Sequence, residues 1–194
     1  MILHKDFIWL HLPRTGGTST ASWLRKVDLS LQLDLFITPQ DQPAKHDNLA
    51  IRSLRLGSPL ESKIVAINFR PLPSWLLSNY HFALNAGLNV PFERYLEGEF
   101  FSLRLGKWCI ADWWLDYFDI NKVTHFINTE ALESDWRKLL NTCGINVPNE
   151  IRMGQENQIV GNLGSFDSLG YHNWDLAYLK NPLWQSIEKI HFCR

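Results

Sequence analysis

The chain has 194 residues, of which 45% are hydrophobic and 20% are charged, and its formal net charge at pH 7 is −1. This length is enough for one domain with a real hydrophobic core, and the composition is typical of a soluble globular protein. The near-zero charge argues against general nucleic-acid binding through a basic field, although it allows a local basic pocket. We therefore predict a single domain over residues 1–194.

The cysteines and the apolar runs indicate the compartment. Cys109, Cys143 and Cys193 are far apart and show no C-x-x-C spacing, which is typical of reduced thiols in a cytosol. The early apolar run FIWLHL (7–12) is too short for a signal peptide, and no stretch approaches the roughly 20 apolar residues of a membrane span. We expect a cytoplasmic protein without a membrane span; its oligomeric state stays open.

In the first half of the chain, apolar runs alternate with helical patterns. FIWLHL (7–12) is continuous and apolar, as a buried parallel strand is, and the segment after Gly17 carries apolar residues at helical spacing. LDLFIT (33–38) is a second candidate strand, and KIVAINF (63–69) is a strong third one, rich in β-branched residues. A helix is predicted over residues 73–87, with proline at its start and glycine at its end.

The second half of the chain continues the alternation. CIADWWLDYF (109–118) is predicted to be helical, KVTHFIN (122–128) to be a strand, and residues 132–144 to be a helix closed by Gly144. Residues 145–173 are predicted to be a long loop, and the last segment is helical with a break near Pro182. The pattern predicts an α/β fold, a three-layer domain with a central parallel sheet flanked by helices.

The stretch PRTGGTS (13–19) lies between the first predicted strand and the first predicted helix. Glycines let the backbone approach a ligand closely, and a helix start presents unpaired N–H groups and partial positive charge. Arg14 adds a permanent charge, and the hydroxyl residues can donate hydrogen bonds. These features favour a phosphate or sulfate group, but a plain capped turn uses the same residues, so both interpretations stay open.

This loop departs from the phosphate loop of nucleoside triphosphatases. That motif requires G-x-x-x-x-G-K-[ST], whereas Leu12 stands at the first glycine and Thr18 stands at the lysine. The strand IVAINF ends in Arg70 rather than in a metal-binding acid. We therefore expect an anion site without a metal ion, which argues against a kinase.

A second element follows the predicted strand at 63–69. Arg70 stands at the strand end, and Ser78 lies about two turns into the following helix, so the two could clamp a further phosphate. Alternatively, the arginine caps the sheet edge and the serine lies on a helix surface. A third candidate position, at residues 128–130, follows the strand at 122–128, because sites in such folds lie beyond the carboxyl ends of strands.

Together these motifs resemble the sulfotransferases that use 3′-phosphoadenosine 5′-phosphosulfate (PAPS). In that family a loop of the form P-K-T-G-[GT]-T-S holds the 5′-phosphosulfate, and the chain has PRTGGTS (13–19). A second unit of the form R-D-P-x-x-R-x-x-S-x-Y holds the 3′-phosphate, and the chain has RPLPSWLLSNY (70–80). HFINTEALESDWRKLL (125–140) is similar to a third family element, and order and spacing agree over roughly residues 7–145.

The resemblance implies a fold like that of P-loop nucleoside triphosphatases and an activity nearer the carbohydrate-modifying branch of the family. Arg14 replaces the family lysine, Arg70 runs directly into Pro71 without the usual aspartate, and Ser74 or Trp75 occupies the second arginine position. Arginine keeps the charge but does not readily give up a proton. The implied cofactor-binding residues are Arg14, Thr15, Gly16, Gly17, Thr18 and Ser19 for the 5′-phosphosulfate, with Arg70 and Ser78 for the 3′-phosphate.

Sulfuryl transfer also requires a base that takes the proton of the acceptor hydroxyl, and histidine titrates nearest neutrality. The resemblance implies a histidine between the loop helix and the second strand, where His46 stands between Lys45 and Asp47. Asp47 could orient His46, and a solvent-exposed loop histidine is the competing interpretation. Glu130 is the alternative base. The other histidines are interpreted as structural (His11, His81 and His125) or have no motif around them (His172 and His191).

The sequence predicts a PAPS-dependent sulfotransferase acting on a carbohydrate or small-molecule hydroxyl, with Arg14, His46 and Glu130 as catalytic residues. One alternative is a non-catalytic nucleotide-binding module of the same fold, and a less favoured one is a small-molecule kinase. The acceptor is not readable from the sequence. An aromatic group could form a wall for a sugar or aryl ring or belong to the core: Trp108, Trp113, Trp114 and Tyr117.

Overall fold

The computed structural model describes residues 1–27, 32–33, 45–154 and 174–192. These residues fall into two compact units, one drawn from Met1–Arg70 and Tyr117–Asn157 and the other from Pro71–Asp116 and Gln158–Arg194. Each unit is described by itself, and the single domain over residues 1–194 stays a prediction.

The first unit contains a five-stranded sheet. Its strands are β1 (Ile2–Leu3), β2 (Ile8–Leu10), β3 (Gln32–Leu33), β4 (Val65–Phe69) and β7 (His125–Asn128). Their order across the sheet is β3–β1–β2–β4–β7. β2, β4 and β7 run parallel to one another, as predicted, whereas β1 is antiparallel to both of its neighbours.

The prediction of a parallel sheet is therefore wrong for β1, whereas β3, which is antiparallel to β1, runs in the same direction as β2. β1 and β2 are joined by residues 4–7 alone, and the His4 N–H donates to the Phe7 carbonyl (2.9 Å) to close the turn. A parallel connection requires a crossover of a dozen or more residues, so this turn forces an antiparallel pair. Of the predicted strand at 33–38, only Leu33 is described, at the end of β3, and residues 34–38 lie outside the described residues.

Helices α1 (Gly17–Val27) and α6 (Leu132–Thr142) pack on one face of this sheet. Both were predicted from their apolar spacing. Helix α2 (Leu49–Leu56) was not predicted, although it has a clear start signal: the Asn48 side chain accepts from the Ile51 N–H (2.8 Å). Short 3₁₀ turns at Ile120–Lys122 and Thr129–Ala131 flank β7.

Aromatic side chains form much of the core between the sheet and these two helices. Four aromatic side chains are each at most 1% exposed: Phe7 from the turn before β2, Trp9 from β2, Trp23 from α1 and Trp136 from α6. Truncating a fully buried tryptophan to alanine typically costs about 3–5 kcal/mol. Trp9, Trp23 and Trp136 therefore stabilise this unit as part of its core.

The second unit combines helices with a hairpin. Its elements are α3 (Leu72–Asn85), α4 (Phe92–Leu96), β5 (Glu99–Ser102), β6 (Lys107–Ile110), α5 (Asp112–Tyr117), α7 (Asp175–Lys180) and α8 (Pro182–His191), with α5 ending at the unit boundary. The helix predicted at 109–118 is wrong at its start, because Cys109 and Ile110 pair with β5 in an antiparallel ladder.

Buried polar side chains fix the C-terminal helices of this unit. The Asp112 carboxylate accepts from the N–H groups of Leu183 and Trp184 (2.8 and 2.9 Å), and the Asn181 side chain accepts from the Asp112 N–H (3.0 Å). These bonds satisfy the first turn of α8, and the break predicted at Pro182 is confirmed. Within the described residues, no helix combines the length and the apolar character that crossing a bilayer requires.

Candidate functional site

The carboxyl ends of three parallel strands meet at one edge of the first unit's sheet. Leu10 of β2 pairs with Ile67 of β4, and Phe69 of β4 pairs with Asn128 of β7. The loop at 13–16, Arg70 and Glu130 directly follow these strands. The register therefore places these predicted segments side by side, and we call this place the carboxyl edge.

The loop before α1 has an unusual backbone. Arg14 and Gly16 both have a positive φ, 66° and 73°, and the Thr20 N–H donates to the Gly16 carbonyl (3.0 Å) as α1 begins. Alternation of left- and right-handed residues is the backbone pattern of an anion nest, in which successive N–H groups turn toward one point. For a non-glycine residue such a φ costs roughly 1–2 kcal/mol, so Arg14 holds a strained conformation at the place where a ligand is expected.

The two glycines of the loop are also required by packing. A Cβ built on Gly17 would lie 1.8 Å from the His11 Nε2, and one on Gly16 would lie 3.0 Å from the Leu132 Cδ2. The His11 imidazole thus rests against the backbone of the first turn of α1. A side chain at position 17 would overlap the buried His11 ring, whereas one at position 16 would be strained by the positive φ and would crowd the Leu132 side chain.

Asn68, the fourth residue of β4, connects the loop to its surroundings. Its Oδ1 accepts from the indole N–H groups of Trp9 and Trp136, each at 3.1 Å. Its Nδ2 donates to the Thr15 carbonyl (3.0 Å) and to the Thr20 hydroxyl (2.8 Å). Asn68 is fully buried, and these four bonds use its whole hydrogen-bonding capacity. Sequence reasoning missed this residue, although a lone amide in an apolar strand was a visible signal.

The hydroxyl residues of the loop have different roles. The Thr15 hydroxyl donates to the Leu12 carbonyl (2.7 Å) and is fully buried, so its proton is used within the turn. Contact between Thr15 and an anion would therefore come from its main chain, which differs from the predicted hydroxyl role. Thr18 is exposed in the first turn of α1, whereas Ser19 is buried.

His46 lies against the end of β2. Its Nδ1 is 2.8 Å from the carbonyl oxygen of His11, and the two imidazole rings are 4.6 Å apart. A carbonyl can only accept, so the Nδ1 carries the proton, and the lone pair of the neutral ring is on Nε2. Burial lowers the pKa of His11 well below its usual value, and nearby positive charge, including that of Lys45, lowers it further. His11 is therefore neutral at pH 7.

Asp47 does not take the orienting role that the sequence suggested. Its buried carboxylate forms ion pairs with Arg52 (3.5 Å) and Arg55 (3.0 Å) of α2. The group that bonds the His46 Nδ1 is instead the main chain of His11. The orientation of His46 therefore depends on the strand end, and the Asp47 carboxylate instead pairs with arginines of α2.

Positive side chains are concentrated at the carboxyl edge. Burial and the neighbouring charge of Arg70 lower the pKa of Arg14, and burial and the charge of Arg14 lower the pKa of Lys45. Burial also lowers the pKa of Arg70, which the nearby carboxylate of Glu130 partly offsets. We call Arg14, Lys45 and Arg70 the basic cluster. Like charges held together in this way are stabilised when an anion binds among them.

Ser78 belongs to the second unit, where it is half-buried within α3. The first N–H of this helix, that of Leu72, donates to the Glu188 carboxylate of α8 (2.6 Å), whose other oxygen accepts from the Tyr178 hydroxyl (2.9 Å). Burial raises the pKa of Glu188. A carboxylate of the chain itself is therefore bound at the start of α3.

Two of the four aromatic residues that could form a wall for a ligand, Trp108 and Trp114, pack within the second unit. Trp108 lies under the Arg94 guanidinium (4.2 Å to the ring centroid) and contacts Tyr95 edge-on (5.5 Å). Trp114 is buried in the same unit. Tyr117 belongs to the first unit, where its carbonyl accepts from the Asn48 side chain (2.8 Å).

Among the residues that the structure describes, no group of three or more histidine, cysteine, aspartate or glutamate side chains is arranged to hold a metal ion. The site and the sheet together define a mixed α/β protein with a basic, glycine-containing strand-to-helix loop. Comparisons with protein-family models, with curated proteins and with solved structures found no match for this chain.

Proposed function

We propose that the protein is a PAPS-dependent sulfotransferase that transfers a sulfuryl group to a hydroxyl of a carbohydrate or small molecule. The observation that carries the proposal is the meeting of Arg14, Arg70 and the start of α1 at the carboxyl edge. The motif resemblance gives the ligand class, and the positive charges and the nest fit its 5′-phosphosulfate. The Glu188 carboxylate at the start of α3 is a poorer fit to a second phosphate there.

In this reaction the bond between sulfur and the phosphate oxygen breaks while a bond between sulfur and the acceptor oxygen forms. Arg14 and Arg70 stabilise charge on the sulfuryl oxygens and on the leaving phosphate, and the loop positions the group for in-line attack. The His46 Nε2 takes the acceptor proton, while its Nδ1 keeps its bond to the His11 carbonyl. Glu130, exposed beside Arg70, is the alternative base.

The test separates binding from transfer. We expect Arg14→Ala and Arg70→Ala each to weaken binding of 3′,5′-diphosphoadenosine about tenfold or more, because each removes a charge-assisted contact. We expect His46→Ala to keep that affinity within about twofold and to lower turnover about 10²- to 10⁴-fold. Calorimetry and transfer of labelled sulfate from PAPS to a panel of sugars and phenols measure the two quantities.

The matched control is His125→Asn, because His125 begins β7 and therefore lies at the opposite edge of the same sheet. It should change neither affinity nor turnover. Ser78→Ala tests the proposed 3′-phosphate contact separately. Unchanged affinity in both arginine variants would contradict the site, and unchanged turnover in His46→Ala would remove His46 from the mechanism.

The second candidate is a nucleotide-binding module without transfer activity. It is favoured by Arg14 itself, which cannot readily release a proton and stands in a strained backbone conformation. It predicts tight binding of 3′,5′-diphosphoadenosine with no labelled product from any acceptor, and Arg14→Lys would not restore transfer. Stabilisation by ATP with Mg²⁺ alone would instead indicate a kinase.

A further inference from the structure

Hydrogen bonds of the main chain at Lys45 and of the adjacent His46 side chain place Lys45 at the carboxyl edge. The Met1 ammonium group donates to the Lys45 carbonyl (2.7 Å), and the adjacent His46 is bonded to the end of β2. Lys45 is half-buried, so its side chain loses part of its hydration when the chain folds. Placing a lysine there is unfavourable unless a negative charge compensates it.

The charges around Lys45 do not provide that compensation. Burial and the charge of Arg14 lower the pKa of Lys45, and within the described residues no carboxylate forms an ion pair with it. Lys180 of the second unit is the comparison: it is also half-buried, but Glu97 and Glu99 pair with it at 3.1 and 3.0 Å and raise its pKa. A half-buried lysine that pairs with carboxylates of its own chain therefore has a raised pKa, whereas the pKa of Lys45 is lowered.

We propose that Lys45 is a third cationic ligand of the anion at the carboxyl edge, and that the site takes a polyanion of the pyrophosphate or nucleoside bisphosphate class. Arg14 and Arg70 together match a single divalent group such as sulfate. A third cation beside the start of α1 adds the capacity for a further negative charge. The inference rests on the anion site of the proposed function, and it does not require the transfer reaction.

The experiment measures binding of sulfate, pyrophosphate and 3′,5′-diphosphoadenosine to the full chain by calorimetry. Lys45→Met keeps the length and apolar stem of the side chain but removes its charge, and Lys45→Arg restores the charge. Lys63→Met is the matched control, because Lys63 is exposed just before β4 and its replacement changes the net charge equally. Lys45→Gln is the second neutral variant if Lys45→Met fails to fold.

We expect Lys45→Met to weaken pyrophosphate and nucleotide binding about ten- to hundredfold and sulfate binding less, because sulfate carries less charge. Lys45→Arg should restore most of the affinity, and Lys63→Met should stay within about twofold of wild type. Equal nucleotide affinity in Lys45→Met and wild type would overturn the role of Lys45 and leave the proposed function intact.

The remaining outcomes separate the two proposals further. If wild type binds pyrophosphate and Lys45→Met loses that binding, but PAPS supports no transfer to any acceptor, the proposed function fails and the role of Lys45 stands. If wild type binds none of the three anions, both are wrong. If sulfate binding falls as much as pyrophosphate binding in Lys45→Met, Lys45 contacts the anion but the polyanion preference is wrong.

Discussion

A single buried amide, Asn68, ties β2, β4, α1 and α6 of the first unit together. Its amide accepts from two indole N–H groups and donates to the Thr15 carbonyl and the Thr20 hydroxyl. All of these groups are buried, so water cannot take the place of the amide. The position of the loop main chain at Thr15 therefore depends on a side chain that touches no ligand itself. Asn68 is a positioning residue in this sense.

We expect Asn68→Ala to lower the free energy of unfolding by about 3 kcal/mol, because it leaves several buried polar groups unpaired. The same variant should weaken sulfate binding. Urea unfolding and calorimetry measure the two effects. Asn79→Ala is the control, since within the described part of the chain the buried Asn79 side chain donates to the Trp75 carbonyl of its own helix alone, and a cost of about 1 kcal/mol is expected there. Equal costs at the two positions would contradict the connecting role of Asn68.

Residues of the basic cluster show why charge and position must be considered together. Arg14 was recognised from its motif, and Arg70 from its place after a strand. Lys45 carries no motif, and its importance follows from its electrostatic interaction with Arg14, which lies 31 positions earlier in the sequence. Sequence reasoning mentioned it only as a neighbour of His46.

At the level of elements, the contact between the end of β2 and the start of α1 fixes the loop. The His11 ring lies between Trp9, with which it stacks at 5.1 Å, and the backbone at Gly17. The ring cannot withdraw without disturbing this stack and its contact with His46. The close approach of strand end and helix start therefore depends on glycine at position 17.

We expect Gly17→Ala to destabilise the chain by about 2–3 kcal/mol, because the new methyl group would overlap the buried His11 ring. Replacing His11 by alanine in the same chain removes the clash, so the double variant should lose less stability than the two single changes added together. Thermal and urea unfolding measure these differences. Gly154→Ala, where nothing lies within 4 Å, should stay within about 0.5 kcal/mol of wild type. Strict additivity of Gly17→Ala and His11→Ala would contradict the contact.

At the scale of the whole molecule, a neutral chain carries a local concentration of positive charge. The net charge is −1, yet the basic cluster gathers three cations at the carboxyl edge. Long-range steering of ligands by the whole field is therefore weak, and affinity depends on short-range contacts. The stability of the chain also depends on a group at this edge, the buried imidazole of His11.

We expect the stability of the chain to fall as the pH drops below about 6.5, the ordinary histidine pKa. The folded-state pKa of His11 lies well below that value, so on acidification the unfolded chain takes up a proton that the folded chain refuses. The loss of stability that His11 causes is absent above pH 6.5. Below that pH it grows by up to about 1.4 kcal/mol for each unit by which the pH falls, until the folded-state pKa is reached.

Urea unfolding of wild type and His11→Asn at about pH 7.5, 6.5 and 5.5 measures this slope. The variant should lose the part of the slope that comes from His11. His191, whose pKa is also lowered by burial, is present in both chains and cancels in the difference. Identical slopes would show that His11 accepts a proton in the folded state.

Much of the fold could be predicted because its signals are local. The apolar runs of β2, β4 and β7, the spacing in α1, α3 and α6, and the break at Pro182 each follow from neighbouring residues. Helix α2 and the hairpin of β5 and β6 were missed because they are short and weakly periodic. The antiparallel β1 was missed because two residues give no periodic pattern.

The sequence by itself determined the parallel strands, the glycine-containing loop after the first of them, and the candidate residues Arg14, Arg70, His46 and Glu130. Only the tertiary structure decided how they are held: Asn68 bonds partners 48 to 68 positions away, and His46 is oriented by the His11 main chain 35 positions before it. Such contacts depend on the strand register and on the turn between β1 and β2, which no local pattern encodes. For the same reason Lys45 became a candidate ligand only in the folded structure, where it lies near Arg14 although the two are far apart in sequence.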